Sequence, residues 1–308
     1  MHAWRSPHGR ALPAIGKRTL VMGILNVTPD SFSDGGQLAD PAAVLDRAAA
    51  MLEAGADVLD IGGESTRPGA AAVTEAEEAT RVLPAIRAVR DRWPEAPISI
   101  DTFKPRIAEA AIGAGADIIN DVWGLTYGLD AATRSHAINE LAMSRAQPGT
   151  KPSLPTSPMA AVAARLGCPV ILMHNRPDRE YRDFWFDLLD DLRLSLGLAR
   201  QAGIEDRQVW LDPGFGFAKS PGQNLEVIKH LDRIVKLGFP VLVGTSRKST
   251  LGKVLGTTAD DRLEGTAATC VWAIAQGCRM IRVHDVAPMV RYALMADAIK
   301  AGVEWSEG

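Results

Sequence analysis

The sequence predicts an α/β protein of the TIM-barrel type, a (β/α)8 barrel formed by a single domain over residues 1–308. Eight short runs rich in Val, Ile and Leu alternate with segments that carry helix signals. The runs show little polar alternation, which is typical of parallel strands buried on both faces. A doubly wound open sheet also fits this alternation. The barrel is favoured because polar residues follow the runs, and in a barrel all eight strand ends meet at one mouth.

The predicted strands are spread along the chain. They cover residues 20–25, 58–61, 97–100, 117–119, 169–173, 209–211, 240–243 and 280–283. The polar residues at or just beyond their carboxyl ends are Asn26, Asp60, Asp101, Asn120, His174, Asp212, Ser246 and Arg282. We expect these side chains to share the mouth of the barrel.

Helix signals occupy the intervals between the strands. Thr74 is followed three residues later by Glu77, and Ser220 by Gln223. Both pairs match the capping box, in which a hydroxyl and a carboxylate or amide satisfy backbone N–H groups at a helix start. Two helices are therefore predicted to begin just after Thr74 and Ser220.

The segment 128–158 departs from the alternation and is predicted as an insertion between the fourth strand and its helix. Residues 130–146 fit an amphipathic helix, whereas 147–155 are Pro-rich and predicted to be irregular. A tolerated surface insertion is the ordinary interpretation. A flap over the barrel mouth and a contact for a partner are the alternatives.

Composition and charge exclude several classes of protein. The 308 residues are 46% hydrophobic and 23% charged, which is ordinary for a globular protein. A net charge of −3 gives no reason to expect nucleic acid or an anionic membrane as a partner, so any anion site must be local. Cys168, Cys270 and Cys278 lack metal-ligand spacing and are predicted to be buried thiols. Because no signal core or membrane-spanning run is visible, the predicted location is the cytoplasm.

The loops after the first two strands carry groups that suit a metal and an anion. Asn26 is followed by the carboxylates of Asp30 and Asp34, and such oxygen ligands suit Mg²⁺. Arg67 lies in the Gly-rich loop 62–69, where its planar guanidinium could bind an anion. Each motif alone is equally compatible with an ordinary surface loop.

Asp101, Asn120 and Asp212 are predicted to form a cluster of hydrogen-bond acceptors at the ends of strands three, four and six. Such a cluster suits a flat heterocycle rich in N–H donors, such as an aminopyrimidinone. Lys248 could donate to a ring nitrogen or carbonyl of the same group. Individually, the three polar residues could instead cap helices or support loops.

Arg282 and His284 are candidate phosphate ligands, together with Arg67. They lie two residues apart, so their side chains point the same way if the strand continues. The loops after strands seven and eight are the usual phosphate site of TIM barrels. The sequence lacks the P-loop, nucleophile-elbow and HExxH motifs, so covalent serine catalysis and zinc hydrolysis have no visible support.

Two long motifs closely resemble the hallmark motifs of the dihydropteroate synthase family. They are MGILNVTPDSFSDGG at 22–36 and DIGGESTRPG at 60–69. Further blocks similar to that family follow in its order at 100–102, 119–122, 172–176, 211–217, 246–249 and 282–286. Together they cover nearly the whole chain. The segment 128–158 is the departure from the family's usual pattern.

The resemblance implies a TIM-barrel transferase of folate biosynthesis. Such an enzyme joins p-aminobenzoate to 6-hydroxymethyl-7,8-dihydropterin diphosphate and releases pyrophosphate and 7,8-dihydropteroate. Its partners are these small molecules, with no nucleic acid and no membrane, and its cofactor is Mg²⁺. The resemblance also suggests a homodimer.

The resemblance further implies roles for individual residues. The pterin ligands are Asp101, Asn120, Asp212 and Lys248. The diphosphate ligands are Asn26, Arg67, Arg282 and His284, with Asn26 also at the metal. The p-aminobenzoate pocket is bordered by Phe32, Thr66, Pro68 and Ser249, next to Lys248. The catalytic residues are Asp101, Lys248, Arg282 and His284.

An SN1-like substitution is the predicted mechanism, with loops after strands one and two closing over the cationic intermediate. A pterin-binding methyltransferase of the methyltetrahydrofolate type is the alternative, since it shares the acidic pterin cluster. The diphosphate donors argue against it, because a methyl donor brings no diphosphate. An inactive pterin-sensing relative is a third hypothesis, but every expected catalytic position is filled.

Overall fold

The computed structural model describes residues 4–28, 41–65, 72–147 and 149–305. Its strands are β1 (Leu20–Asn26), β2 (Val58–Gly62), β3 (Ile98–Asp101), β4 (Ile118–Asp121), β5 (Val170–Met173), β6 (Val209–Asp212), β7 (Leu242–Val243) and β8 (Met280–Val283). Every predicted strand overlaps an observed one, and the ends differ by at most two residues.

The eight strands form one parallel sheet in the order β6-β5-β4-β3-β2-β1-β8-β7. The two edge strands meet through an isolated parallel bridge between Leu211 and Val241. The Leu211 N–H also donates to the Pro240 carbonyl at 3.0 Å. The sheet is therefore a nearly closed barrel, which confirms the TIM-barrel prediction and excludes the open sheet.

Helices separate consecutive strands, as predicted. They are α1 (Pro41–Glu53), α2 (Glu75–Arg92), α3 (Pro105–Gly113), α4 (Ala131–Ala146), α5 (Pro158–Leu166), α6 (Phe184–Ala202), α7 (Pro221–Lys229), α8 (Asp232–Val235), α9 (Ser249–Leu255), α10 (Leu263–Ala275) and α11 (Val286–Ala301). Both predicted capping boxes form, at Thr74 with Glu77 and at Ser220 with Gln223. Within the described residues, none of these helices has the length and apolarity needed to cross a bilayer.

The segment 128–158 contributes α4, whose first N–H groups are capped by Asp130. The next helix, α5, packs between α3 and α6 and so occupies the place of the ring helix that follows β4. Helix α4 is additional to the ring and packs beside α6. Only Ala137 is fully buried among the α4 residues, so this helix adds little to the apolar core.

The barrel interior is apolar towards the amino ends of the strands. Trp4, from the N-terminal segment, packs on Trp210 of β6 with ring centroids 4.9 Å apart. The other buried members of this cluster are Leu20, Met22, Val58, Ile118, Ile171, Leu242 and Met280. Side chains two residues further along a strand point into the same interior. These next inward positions are Asp60, Asn120, Asp212 and Arg282, so the polar residues lie directly above an apolar layer.

The three cysteines are buried and free, as predicted. Cys168 precedes β5, Cys270 lies on α10, and Cys278 precedes β8. Cys278 Sγ donates to the Met280 carbonyl at 3.0 Å. These thiols are part of the packing between helices and barrel.

Candidate active site

A cavity of about 380 Å³ opens at the carboxyl ends of the strands. Its lining includes Asn26, Asp101, Ser246, Lys248, Arg282 and His284. A narrower cavity adjoins it and is lined by Asn120, Val122, Met173, Asp212, Phe215 and Phe217. The two cavities share Asp101, Gly244, Lys248 and Arg282. Polar residues from strands on opposite sides of the barrel are therefore brought together, as the sequence predicted.

Arg282 lies at the boundary of the two cavities and binds two carboxylates. Its Nε donates to Asp60 Oδ2 at 2.5 Å, and its Nη2 donates to Asp101 Oδ2 at 2.5 Å. The Arg282 side chain is 16% exposed, whereas Asp60 is fully buried. The sequence interpretation assigned Arg282 and Asp101 to different parts of a substrate. The structure joins the two side chains directly.

Asp60 is one of the polar residues predicted at strand ends, but the sequence predicts no binding or catalytic role for it. Its Oδ2 accepts from Asn120 Nδ2 at 3.1 Å as well as from Arg282. Asp60 thus fixes one predicted pterin ligand and one predicted diphosphate ligand at once. The available signal was a single acid within the apolar strand β2, two residues after the inward-facing Val58.

Burial shifts the acidity of the two other aspartates in the site. Desolvation raises the pKa of Asp101 to about 7, opposed by Arg282 and reinforced by the charge of Asp60. Desolvation likewise raises the pKa of Asp212 to about 6, opposed chiefly by the Gly214 N–H, which donates to Asp212 Oδ1 at 2.7 Å. Both carboxyls therefore titrate near neutral pH in the free protein.

Lys248 lies between the two cavities, at the residue before α9. Its Nζ is 4.1 Å from the centroid of the Phe217 ring, which is within the range of a cation–π contact. Ser249, the first residue of α9, lines the larger cavity. A group seated between Asp212 and Phe217 would therefore reach Lys248 at its outer edge.

His284 is oriented by Ser246. The sequence places Ser246 at a strand end but predicts no binding or catalytic role for it. The Ser246 Oγ lies 2.9 Å from His284 Nδ1 and accepts from the His284 N–H at 3.2 Å. The neighbouring Arg247 adopts φ of 58°, in the left-handed region, and its Nη2 donates to Asp285 at 2.6 Å. These contacts join the loop after β7 to the loop after β8.

One predicted residue of this site, His174, lies elsewhere, and several others lie outside the described part of the chain. His174 follows β5 but does not line either of the two cavities described above. Its side chain is fully buried against Asp191 and Lys219 instead, because Ile171 and Met173 face the barrel interior and the next residue points outward. Phe32, Thr66, Arg67 and Pro68 lie outside the described residues, as do most of the loops predicted to close.

This chain is similar to a known protein family and to individual members of it. The model of the family described as "Pterin binding enzyme" matches residues 22–284. A dihydropteroate synthase of Clostridium beijerinckii is 44% identical over 286 residues, covering 92% of this chain and 96% of that protein. This chain belongs to the dihydropteroate synthase family.

Solved structures of dihydropteroate synthases agree with this membership. One from Clostridium difficile, determined in the presence of pteroic acid, has a TM-score of 0.82 and 40% identity, covering 94% of this chain and 99% of its own. One from Xanthomonas albilineans, determined with 4-aminobenzoic acid, has a TM-score of 0.79 and 40% identity, covering 93% and 94%. The dihydropteroate synthase family comprises transferases of folate biosynthesis. The similarity therefore favours the synthase over the methyltransferase alternative.

The raised pKa values of Asp101 and Asp212 can be measured directly. In protein with ¹³C-labelled aspartate carboxyls, NMR should detect carboxyls that are protonated at pH 5 and become ionised near pH 6 to 7, because burial disfavours their charged form. Asp212→Asn and Asp101→Asn should each remove one of these transitions.

Asp121 provides an internal control for that titration. It is buried at the end of β4, and its pKa is also raised to about 6, but it accepts from the Trp123 and Leu125 N–H groups outside the cavities. Its transition should persist in both variants. If every aspartate titrates below about pH 5, as unperturbed carboxyls do, the described desolvation is wrong.

Proposed function

We propose that this member of the dihydropteroate synthase family condenses 6-hydroxymethyl-7,8-dihydropterin diphosphate with p-aminobenzoate in the two adjoining cavities. The observation that carries the proposal is their shared boundary. Acceptors gather in the narrow cavity, cationic donors face the larger one, and Asp101, Lys248 and Arg282 belong to both. A pterin and its leaving group need these opposite chemistries side by side.

The narrow cavity suits the pterin ring. Asp101 Oδ1 is buried and has no hydrogen-bond partner among the described residues. Leaving such an acceptor unsatisfied costs about 1–3 kcal/mol, so an N–H of the ring would stabilise the site on binding. Asp212 offers a second buried carboxylate, and Asn120 is held in place through Asp60. Lys248 would donate to the same ring.

The larger cavity suits the diphosphate. Arg282 remains charged at every physiological pH, and its two carboxylate partners fix the direction of its guanidinium. His284 is fixed by Ser246. Donors held in position stabilise charge that develops on a leaving group without the cost of reorganising at the moment of reaction. Arg67 is proposed to join them, although it lies outside the described residues.

Departure of pyrophosphate before attack is the proposed order of events. The C–O bond of the pterin methylene breaks and both electrons leave with pyrophosphate, so the methylene becomes cationic. Asp101, ionised once it accepts from the pterin N–H groups, stabilises that cation through the ring. The amine of p-aminobenzoate then attacks with its lone pair and loses a proton to water. Because this amine is already neutral, no protein base is required.

The p-aminobenzoate pocket is proposed to lie beside Lys248 and Ser249. These residues border the larger cavity next to the pterin side, which is where the new C–N bond has to form. Phe32, Thr66 and Pro68 are proposed to complete the pocket from residues outside the described part of the chain. The protein would then act mainly by positioning two substrates.

Mg²⁺ is proposed to bind together with the diphosphate. Asn26 supplies an amide oxygen at the edge of the larger cavity. The described residues contain no group of three or more acidic, His or Cys side chains that could hold a metal. The amide oxygen of Asn26 fits Mg²⁺, because this ion keeps several waters and is bound through few protein oxygens and through substrate phosphates. When bound, the ion would neutralise charge on the leaving group.

A homodimer is proposed through the outer face of α10 and α11. Trp272 and Tyr292 are 53% and 41% exposed, and Met295 and Ile299 are 61% and 67% exposed. Trp272 and Tyr292 also line an apolar groove of about 390 Å³ between the two helices. Contiguous apolar surface of this kind, with aromatic residues, is typical of interfaces. The family resemblance supports a second copy of this chain as the occupant.

The reaction and its order can be tested together. With Mg²⁺ and both substrates, pyrophosphate and 7,8-dihydropteroate should form in equal amounts, and chelation should stop both. Because the C–O bond breaks first, we expect a normal secondary deuterium isotope effect at the methylene and little dependence of kcat on the basicity of ring-substituted anilines.

Absence of pyrophosphate release would refute the synthase reaction. An isotope effect near unity with a strong dependence on basicity would refute the SN1-like order.

His284→Ala should lower kcat/KM for the pterin diphosphate by about 100-fold, because one donor to the leaving group is lost. Binding of the pterin alcohol, which has no diphosphate, should be unchanged in calorimetry. Ser246→Ala should give a smaller loss in the same direction, since it removes only the group that orients His284. Equal losses for the diphosphate and the alcohol would contradict the proposed role of His284.

Trp272→Glu should convert the dimer into a monomer, because it introduces a charge into the proposed apolar interface. Sedimentation velocity measures the change. Phe186→Glu is the matched control, since Phe186 is 70% exposed on α6, away from that face. A monomeric wild-type chain, or a dimer that withstands Trp272→Glu, rejects this interface.

A further inference from the structure

Helix α4, from the segment predicted as an insertion, carries one nearly buried charge. The Arg134 side chain is only 11% exposed. Its Nη2 donates to Thr126 Oγ1 at 3.1 Å and to the Asn175 carbonyl at 3.1 Å. Thr126 follows β4 and Asn175 follows β5. This one guanidinium therefore links the loops at the ends of two neighbouring strands.

The same arginine faces a buried carboxylate. Arg134 Nε lies 3.5 Å from Asp191 Oδ1, and Asp191 on α6 is 2% exposed. The other oxygen, Asp191 Oδ2, accepts from Arg176 Nε at 2.6 Å and from His174 Nε2 at 3.1 Å. Burial raises the pKa of Asp191, but His174, Arg134 and Arg176 together lower it to about 2. Asp191 is thus an ionised centre shared by three side chains.

His174 carries the interaction onward to the β6 loop. Burial and the Lys219 charge lower the pKa of His174 to about 3, so the ring is neutral. A neutral ring with its proton on Nε2 donates to Asp191 and accepts at Nδ1 from Lys219 Nζ, which is 2.8 Å away. Lys219 Nζ in turn donates to the carbonyls of Gly214 and Phe217, at 3.1 Å and 3.2 Å.

These contacts end at the wall of the narrow cavity. The Gly214 N–H binds Asp212 Oδ1, and both Asp212 and Phe217 line that cavity. Gly214 has φ of +67°, and a Cβ there would lie 1.9 Å from the His174 carbonyl oxygen, so the loop is pressed against β5. A second branch runs from Asn175, whose Nδ2 donates at 3.1 Å to the carbonyl of Val122, another lining residue.

We propose that Arg134 is a positioning residue for the pterin pocket, and that α4 serves to hold it there. The hydrogen bonds and the ion pair of Arg134 go to Thr126, Asn175 and Asp191, none of which lines the narrow cavity. Arg134 therefore acts through Asp191, His174 and Lys219 on the loop that carries Asp212 and Phe217. The inference rests on the proposed role of this cavity in pterin binding. It is an alternative to the interpretations of the segment 128–158 as a passive insertion, as a flap over the mouth and as a partner contact.

The test is Arg134→Met, which retains the length of the side chain but removes its charge and donors. Calorimetry should show the dissociation constant of the pterin alcohol rising by about 10-fold, since small displacements of positioned groups reduce binding and rate strongly. The KM for the pterin diphosphate should rise similarly. The KM for p-aminobenzoate should change by less than about twofold, because the network holds Asp212 and Phe217 on the pterin side, whereas Ser249 lines only the larger cavity.

Arg145→Met is the matched control on the same helix. Arg145 faces Asp190 at 3.5 Å with its side chain 49% exposed, so its loss should leave pterin affinity unchanged. Arg134→Lys keeps the charge but not the forked donors, and it should give an intermediate pterin affinity. Thermal melting will show whether Arg134→Met folds. If it does not, the pterin affinity of Arg134→Lys tests the proposal instead.

A folded Arg134→Met or Arg134→Lys protein with wild-type pterin affinity overturns the proposal. So does a rise confined to the KM for p-aminobenzoate, which a flap would produce. Failure of the proposed function is a separate result: the wild-type protein then neither binds the pterin alcohol nor releases pyrophosphate. A wild-type protein that does both, with unchanged Arg134 variants, refutes the positioning role alone.

Discussion

The buried guanidinium of Arg282 is the constraint on which the mouth of this barrel depends. One cation on β8 is shared by Asp60 on β2 and Asp101 on β3, and Asp60 also binds Asn120 on β4. A buried charge group of this kind is costly unless its members are paired, and removing one member leaves the others exposed to that cost. The positions of four strand ends are therefore fixed together.

This shared cation also explains the electrostatics of the site. Burial raises the pKa of Asp101, and Arg282, which Asp101 shares with Asp60, does not fully offset this effect. Among the described residues, Asp101 Oδ1 has no hydrogen-bond partner. An N–H-rich ring that binds there supplies the missing donors. Meanwhile Arg282 stays aimed at the larger cavity, where a leaving anion would lie. In the proposed function, substrate recognition and leaving-group stabilisation would thus depend on the same three side chains.

The opposite wall depends on a second charged centre, Asp191 of α6. It is ionised and binds His174 and Arg176 while facing Arg134, and Lys219 extends the network to the loop that carries Asp212. The narrow cavity is therefore held from one side by barrel residues and from the other by residues behind the wall. Helix α4 packs Ala137 and the partly buried Ile138 and Leu141 against the apolar core, and Arg134 connects it to the wall of the site.

The sequence by itself determined the elements and the inventory of the site. Apolar runs located all eight strands and capping boxes located two helix starts. Six of the eight polar residues predicted at strand ends line the two cavities. These features are local, because a strand's period and a cap's hydrogen bonds involve residues only a few positions apart. Only the tertiary structure decided how the side chains pair. Arg282 meets Asp101 across 181 positions of sequence, Asp60 acquires its role by facing both Arg282 and Asn120, and Arg134 reaches Asp191 from a helix outside the ring. Such contacts depend on the closure of the barrel, which sets distances that no local pattern records.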